Sequence, residues 1–351
     1  METYIGFDLH RDYTYASALD REGKIVAKQQ RLPNRPEAIL GYLSRFERPC
    51  VAVEATLNWY WVVDLLQDHE VEVTLTHPKR AKAIVAAKIK SDQLSSRWLA
   101  ELRRSDLIPA CYIPDRGQRT LRDFLRHRAS LVVTRTALKN RIHAILRNFN
   151  QACPYSDLFG KGGRAWLEAV PLEGHYRTAV TNYLGVIATL EKQLTALDDS
   201  IRALAQENPQ AQLLDEIPGI DYYSALLIVL EIGDIVRFAD HRHFCSYLGI
   251  VPCSHRSGTI TYTGRITKEG NKWLRWLIVE AAQKASLSEK NPYHAVYREL
   301  ASRKGASIAK VAVARKIATA IYYMLSRNEP FHPSAVRRSD PSGKPGPRNS
   351  L

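Results

Sequence analysis

Several features that would indicate a membrane or secreted protein are missing from this 351-residue sequence. It has no apolar run of 18 residues, and the stretch 225–230 is far too short to cross a bilayer. The first ten residues carry acids and no long apolar segment, so we expect no secretory signal. The five cysteines show no Cys-x-x-Cys spacing, which predicts free thiols rather than disulfides or a zinc site. We therefore expect a cytoplasmic protein that has no membrane partner.

Acidic residues are too few to balance the basic ones. The sequence has 50 Lys and Arg against 36 Asp and Glu, which gives a net charge of +14. Residues 1–112 are almost neutral, whereas residues 113–150 hold nine basic and two acidic residues. This excess indicates a polyanionic partner such as a nucleic acid.

The basic segment lacks glycine and proline over residues 118–149, which predicts a long helix. Apolar residues 138, 142, 145 and 149 form a coiled-coil-like seam, and a second seam follows within 178–207. The two seams predict antiparallel pairing, within one chain or between chains. A charged helix face is often merely solvated, but a net charge of +7 favours nucleic-acid contact. We call this basic segment the basic arm. Its candidate nucleic-acid contacts are Arg122, Arg126, Arg128, Arg135, Lys139 and Arg141.

The amino-terminal segment predicts an α/β domain. Residues 3–10, 13–20 and 24–32 are typical of three consecutive strands, and helix and strand patterns alternate after them. A three-stranded meander followed by alternating helices and strands is the order of a ribonuclease-H-like, or RuvC-like, sheet.

Two acids interrupt apolar strands of this predicted sheet. Asp8 follows Tyr4–Phe7, and Glu54 follows Val51–Val53. A buried carboxylate is costly unless it is paired, hydrogen-bonded or bound to metal. Each acid could alternatively end a strand in solvent or cap a helix, and Asp92, which opens a predicted helix over 92–104, could be an N-cap. If the three converge, they would bind Mg²⁺.

The carboxy-terminal segment predicts a mostly helical domain with a second group of polar residues. The Ile217–Ile220 turn could be a phosphate-binding helical hairpin or a plain turn. Ser257 is expected in a loop, as a polar turn residue or as a nucleophile activated by a cationic environment. The last residues, 327–351, hold five prolines and predict a flexible tail. The candidate phosphate-binding cations are Arg256, Arg265, Lys268, Lys272 and Arg275.

Ordered motifs give the chain a resemblance to a known family. The motifs are GFDLH at 6–10, VEAT at 53–56, KSDQLSS at 90–96, IPGI at 217–220, GDIVRF at 233–238, YLGIVP at 247–252, RSG at 256–258 and GRITKEGNKWLR at 264–275. Together they resemble the DEDD-type insertion-sequence transposases of the insertion-sequence one-ten family. The resemblance implies Asp8, Glu54 and Asp92 as metal ligands and Ser257 as the nucleophile. It also implies a structured bridge RNA that pairs with target and donor DNA.

One position departs from the family pattern. The fourth acid of the family is expected three residues after Asp92, where this sequence has Ser95. The two positions lie one helical turn apart and share a face. Loss of this carboxylate removes one metal ligand, which water or the Ser95 hydroxyl could replace.

The resulting functional prediction is an RNA-guided DNA recombinase that uses a phosphoserine intermediate and Mg²⁺. Exchange of four strands by one serine per chain implies a homo-oligomer, a dimer that becomes a tetramer in the synaptic complex. One alternative is a RuvC-like junction-resolving nuclease that uses metal and water. The other is a non-catalytic nucleic-acid-binding protein. The predicted organisation is a RuvC-like domain at 1–112, a helical coiled-coil segment at 113–210, a transposase domain at 211–326 and a tail at 327–351.

Overall fold

The protein is represented by a computed structural model that describes residues 1–84, 92–257 and 260–333. The side chains of residues 92–94, 254–257 and 260–263 lie outside this description. The chain divides into two compact units, Met1–Pro114 and Asp115–Leu351. No described helix is long and apolar enough to cross a membrane.

The first unit contains a mixed sheet and short helices. Its strands and helices are β1 (Glu2–Leu9), β2 (Tyr13–Leu19), β3 (Ile25–Pro33), α1 (Pro36–Leu43), β4 (Arg48–Glu54), α2 (Trp59–Asp68), β5 (Glu72–Thr76), α3 (Pro78–Ile84) and α4 (Asp92–Arg104). The strand order is β3-β2-β1-β4-β5. β1 runs antiparallel to β2 and parallel to β4, and β5 is parallel to β4. This order is consistent with the predicted ribonuclease-H-like sheet.

Alternate residues of β1 point to opposite faces of the sheet, and helices cover both faces. Ile5 and Phe7 are fully buried in one core with residues of α1 and α2. Gly6, between them in sequence, lies against the main chain of α4 instead. Asp8 shares the α4 face, because it is two residues from Gly6.

The second unit is mostly helical. Its elements are α5 (Arg116–Asn148), α6 (Lys161–Ala169), α7 (His175–Gln206), α8 (Pro209–Asp215), α9 (Tyr222–Ile232), a 3₁₀ turn (Ile235–Arg237), α10 (His241–Tyr247), β6 (Pro252–Ser257), β7 (Ile260–Ile266), α11 (Lys272–Leu287), α12 (His294–Lys304) and α13 (Ala306–Arg327). Asp115 caps α5 by accepting a hydrogen bond from the Gln118 amide.

The two predicted seams pack against each other within one chain. Leu138 and Ile142 of α5 share a buried cluster with Ile187 and Leu190 of α7. Both seams are therefore used inside the chain, and the expectation that they could form a subunit interface is wrong for these buried positions. Pairing of Arg128 with Asp198, at 2.9 Å, fits the antiparallel direction of the two helices.

A larger core joins the amino-terminal part of α5 and the carboxy-terminal part of α7 to the helices that follow. It contains Leu125 of α5 and Ile201 of α7 together with α8, α9, α11 and α13. Helix α9 is its centre, because every residue from Ala225 to Ile232 is buried. This core includes residues from both sides of the predicted boundary at 210/211.

Candidate functional site

Asp8 and Glu54 lie side by side at the carboxyl ends of two parallel strands. Phe7 of β1 pairs with Val53 of β4, and each acid is the next residue of its strand. Adjacent strands are about 4.8 Å apart, so the two carboxylates start from neighbouring positions on one face. Asp8 is buried and Glu54 is half-buried. The structure therefore brings these two predicted residues together.

Helix α4 runs antiparallel to β1 and begins at the same end of the sheet. Its last residues lie at the opposite end, where Arg103 forms an ion pair with Glu72, the first residue of β5. Ser96, near its start, meets Ser17 of β2 through a 2.9 Å contact between their hydroxyls. The start of α4 is therefore at the edge of the sheet that carries Asp8.

Asp92 is the first residue of α4, and its side chain lies outside the described residues. The backbone places it one turn before Ser96, whose main chain lies over Gly6. Four residues of helix rise about 6 Å, close to the span of two residues along a strand. Residue 92 is therefore at the level of Asp8. Among the described side chains, no three His, Cys, Asp or Glu residues are grouped closely enough to hold a metal ion.

Thr76 is a polar residue of this edge that sequence reasoning missed. It pairs with Glu54 across β4 and β5 and is fully buried. Its Oγ1 atom has no hydrogen-bond partner among the described residues. A buried hydroxyl without a partner is unfavourable unless a further group is present. The only available signal was its place at the end of the third predicted parallel strand.

The segment with Ser257 is a β-hairpin rather than the predicted loop. Arg256 and Ser257 are the last two residues of β6, and Ser257 pairs with Ile260 of β7. Gly258 and the side chains of Arg256 and Ser257 lie outside the described residues. Ser257 is therefore the last residue of β6.

The base of this hairpin is fixed by the main chain. The Thr267 amide donates to the Val251 carbonyl at 3.0 Å, and the Lys268 amide donates to the Gly249 carbonyl at 3.1 Å. Gly249 has a φ of 67°, a left-handed conformation that suits glycine. A Cβ at Gly249 would also overlap the Glu269 carbonyl oxygen. The two ends of the hairpin are therefore locked to each other.

Three predicted cations near this hairpin are exposed, and one has an internal role. Arg265, Lys268 and Lys272 are exposed to solvent. Arg275 is half-buried, and its guanidinium donates to the Leu248 carbonyl at 3.1 Å. Arg275 thus has a structural role that competes with its predicted contact to nucleic acid.

The Ile217–Ile220 turn is packed inside the second unit. Ile217 and Ile220 are buried, and a Cβ at Gly219 would lie 3.0 Å from the Ala281 carbonyl oxygen of α11. Asp221 then caps α9 by accepting from the Ser224 amide. Burial raises the pKa of Asp221, but the hydrogen bonds from Ser224 and the charge of Lys284 together lower it, so its pKa lies below the usual value. These contacts favour the plain structural turn.

The predicted cations at the start of the basic arm are largely used inside the protein. Arg122 is only 8% exposed, and its Nε donates to the Leu230 carbonyl at 2.6 Å. The guanidinium binds the carboxyl end of α9, a structural role that competes with the predicted nucleic-acid contact. Arg126 pairs with the fully buried Glu231 at 2.7 Å.

The remaining predicted cations of the basic arm lie further toward the carboxyl end of α5. Arg128 donates two hydrogen bonds to Asp198 and stacks on Tyr223, 4.5 Å from its ring centre. Lys139 is 3.8 Å from Glu191, a longer and partly exposed ion pair. Arg135 is half-buried and Arg141 is exposed. Of the six predicted contacts in α5, Arg141 is therefore the exposed one, and the others are half-buried or buried.

Comparisons with known proteins match both units. A DEDD-type IS110 transposase model matches residues 5–151. The model described as "Transposase IS116/IS110/IS902 family" matches residues 211–298. Two IS110-family transposase domain models thus match the chain. The matched ranges include the strands that carry Asp8 and Glu54 and the hairpin that carries Ser257.

Two transposases of known organisms are similar to nearly the whole of this chain. It is similar to the transposase for insertion sequence element IS1111A of Coxiella burnetii, with 25% identity over 93% of this chain and 90% of the relative. It is 26% identical to a probable family 20 transposase of Pseudomonas aeruginosa, over 94% of this chain and 98% of the relative. A pilin gene-inverting protein of Moraxella bovis is 30% identical over 39% of this chain and 45% of the relative. The chain is thus an enzyme of DNA recombination.

Proposed function

We propose that this transposase is an RNA-guided DNA recombinase that cleaves and rejoins element and target DNA through a phosphoserine at Ser257. Its partners are a structured bridge RNA and the donor and target DNA duplexes. Asp8, Glu54 and Asp92 assist by holding Mg²⁺. The observation that carries the proposal is the in-register pair Asp8 and Glu54 at the edge of the sheet where α4 begins.

The residues at this edge fit a hard divalent cation. Asp8 and Glu54 supply carboxylate oxygens, the ligands that Mg²⁺ prefers. The Thr76 hydroxyl beside Glu54, which has no partner in the described part of the chain, is a further oxygen in a buried position. A bound Mg²⁺ would polarise the scissile phosphate and neutralise its charge. The described residues contribute by fixing the two carboxylates on adjacent strands.

The hairpin supports the serine role. Ser257 ends a strand whose base is fixed by main-chain hydrogen bonds, and a nucleophile is better positioned on a strand than on a loop. Exposed cations at 265, 268 and 272 favour a negatively charged phosphodiester nearby. Ser257 Oγ attacks phosphorus, one DNA oxygen leaves with a proton, and a phosphoserine ester forms. A DNA hydroxyl then attacks that ester, which rejoins the strand and releases the serine.

We infer that the active form is a homo-oligomer, a dimer that becomes a tetramer when it holds both DNA partners. One chain supplies one Ser257, and exchange of four strands requires four such groups. Because the α5 and α7 seams are buried within the chain, the interface must use other surfaces.

The test of the proposal is a trapped reaction of the full chain with bridge RNA, duplex DNA and Mg²⁺ on denaturing gels. Ser257→Ala should abolish the protein–DNA adduct and strand exchange, with RNA binding near normal. Ser254→Ala, on the same strand, is the matched control and should retain the adduct. An undiminished adduct in Ser257→Ala contradicts the nucleophile assignment. Cleavage without any adduct in the wild type would instead favour the metal-and-water nuclease.

RNA guidance has a separate test. Changing the RNA segment that pairs with target DNA should redirect recombination to the complementary target. Recombination that ignores the RNA sequence would contradict guidance while leaving the serine chemistry intact.

A further inference from the structure

Three planar side chains form a continuous stack beside Asp8. The rings of His10 and Tyr13 are stacked, with centroids 4.7 Å apart and an interplanar angle of 22°. The Arg31 guanidinium carbon lies 4.0 Å from the centre of the Tyr13 ring. Arg31 is on β3, Tyr13 is on β2 and His10 directly follows β1, so the stack crosses three neighbouring strands.

The stack is braced from within the same face of the sheet. Tyr15 pairs with Asp8 on one side and with Arg31 on the other. Its ring contacts His10 edge-on at 5.7 Å and Tyr13 at 5.2 Å. His10 Nε2 is 3.6 Å from the Asp8 carboxylate. The row therefore extends from the Asp8 carboxylate to the guanidinium of Arg31.

Arg31 is exposed, and the stack uses only the face of its guanidinium. The five N–H donors lie in the plane of the group and point away from its edges. No carboxylate pairs with Arg31 among the described residues. This differs from Arg126 and Arg128 of the basic arm, which both pair with internal acids. An oriented guanidinium with open edges suits a phosphate group.

We propose that Arg31 binds a phosphate of the DNA strand that occupies the Asp8–Glu54 site, and that Tyr13 is a positioning residue for Arg31. The inference rests on the proposed function, because it takes the carboxylates as the place where a phosphodiester reacts. Strand β3 is two spacings from β1, about 10 Å. Arg31 therefore binds a flanking phosphate rather than the reacting one, and it fixes the direction of the strand across the sheet.

The test measures the salt dependence of DNA binding by the full chain in EDTA, where no metal-dependent cleavage occurs. The probe is a fluorescently labelled single-stranded DNA oligonucleotide, followed by anisotropy over a series of salt concentrations. Arg31→Ala should weaken binding and reduce the log–log salt slope by about 0.7, the contribution of one phosphate. With duplex DNA the corresponding loss is about 0.9.

Arg45→Ala is the matched control. Arg45 is also exposed and also stacks on aromatic rings, 5.3 Å from Tyr42 and 5.7 Å from Phe46. Tyr42 packs with Phe7 on the opposite face of the sheet. Arg45→Ala should therefore leave the slope unchanged. If both variants lose the same slope, or neither does, the assignment of Arg31 is overturned.

Variants of Tyr13 test the positioning role. Tyr13→Phe keeps the ring and should bind DNA like the wild type. Tyr13→Leu removes the stack but keeps the charge of Arg31, so affinity should fall several-fold while most of the slope is retained. Thermal melts establish that both variants are folded. Equal affinities for Tyr13→Phe and Tyr13→Leu would overturn the positioning role.

These measurements are independent of the proposed chemistry. If Asp8→Asn abolishes strand exchange but Arg31→Ala binds DNA like the wild type, the inference fails and the proposed function stands. If Arg31→Ala loses the slope but Asp8→Asn still recombines DNA, the phosphate contact stands and the proposed role of the carboxylates fails.

Discussion

Gly6 of β1 lies directly beneath the main chain of α4 at Ser96. A Cβ at Gly6 would overlap the Ser96 carbonyl oxygen and would stand 2.7 Å from the Ala100 amide nitrogen. Main-chain atoms within a helix cannot turn aside as the tip of a side chain can. Glycine thus permits the approach that brings Ser96 to Ser17 and the start of α4 to the level of Asp8.

The first prediction concerns this close approach. Gly6→Ala should lower the free energy of unfolding by about 1–3 kcal/mol, because the added methyl group overpacks the helix–sheet contact. Gly41→Ala is the matched control in α1, where a Cβ would meet no atom within 4 Å. That change should be neutral or stabilising by up to about 1 kcal/mol. Urea unfolding of both variants measures the difference, and equal midpoints would contradict the close packing at Gly6.

The edge of the sheet could be predicted because local patterns reveal it. Short apolar runs define β1 and β4, and Asp8 and Glu54 are visible as interruptions at their ends. Parallel pairing then makes them neighbours. The direction of α4 and the burial of Thr76 could not be predicted in this way, because they depend on contacts between residues distant in sequence.

For the basic arm, the internal ion pairs could not be predicted from the sequence. Its charge was visible, but a sequence does not reveal which arginines meet an acid from a distant helix. Glu231 lies more than 100 positions after Arg126, inside an apolar run that gives no sign of its partner. Arg122 and Arg126 were thus predicted as nucleic-acid contacts, and the structure shows them binding the end of α9. The hairpin of Ser257 was missed because its polar residues are typical of a loop.

The second prediction separates structural from nucleic-acid-binding cations. Arg126→Ala leaves the fully buried Glu231 carboxylate without its ion-pair partner, with Asn271 Nδ2 still donating at 2.7 Å. We expect a loss of about 3 kcal/mol in the free energy of unfolding. Arg141→Ala, at an exposed position of the same helix, should change stability by less than about 0.5 kcal/mol. Chemical unfolding of the two variants measures this.

The salt dependence of nucleic-acid binding should show the reverse order. Arg141→Ala should reduce the salt slope, and the double variant Arg126→Ala with Glu231→Gln should not. An unchanged slope in Arg141→Ala would mean that the carboxyl end of α5 is a solvated helix face that does not bind nucleic acid.

The third prediction follows from the cap of α10. Hydrogen bonds from the amide and ring of His243, with a further one from the Arg242 amide, lower the pKa of Asp240 to about 2. The unfolded chain should have a value of about 3.9, so the ionised cap stabilises the fold above that pH. This contribution is lost as the pH falls from about 4 to about 2. Asp240→Asn keeps a capping side chain but removes the titration. Urea midpoints at pH 5 and pH 3 should therefore decline less in the variant than in the wild type, and equal declines would contradict the assignment.

The fourth prediction concerns the two adjacent carboxylates. If Mg²⁺ occupies their edge of the sheet, Asp8→Asn should remove most of the Mg²⁺-induced rise in melting temperature. Glu72→Gln, at the opposite end of the same sheet, should keep that rise. Thermal melts with and without Mg²⁺ give the comparison. The same Mg²⁺-induced shift in wild type and Asp8→Asn would mean that the ion binds elsewhere.

The last prediction concerns Ser95, where the family pattern has an acid. Ser95 is half-buried and lies one turn before Leu99, a buried residue of the same helix. Position 95 is therefore on the inner side of the helix, near its start. A carboxylate there would add a ligand for a hard cation, and without the cation it would add repulsion to Asp8 and Glu54. We expect Ser95→Asp to lower the Mg²⁺ concentration for half-maximal recombination and to destabilise the metal-free protein slightly. Ser95→Asn has the same shape without the charge, so it separates these effects from those of size. Mg²⁺ titrations of recombination and metal-free melts of the three proteins provide the measurement. If Ser95→Asp and Ser95→Asn share the wild-type midpoint, position 95 does not contribute to the metal site.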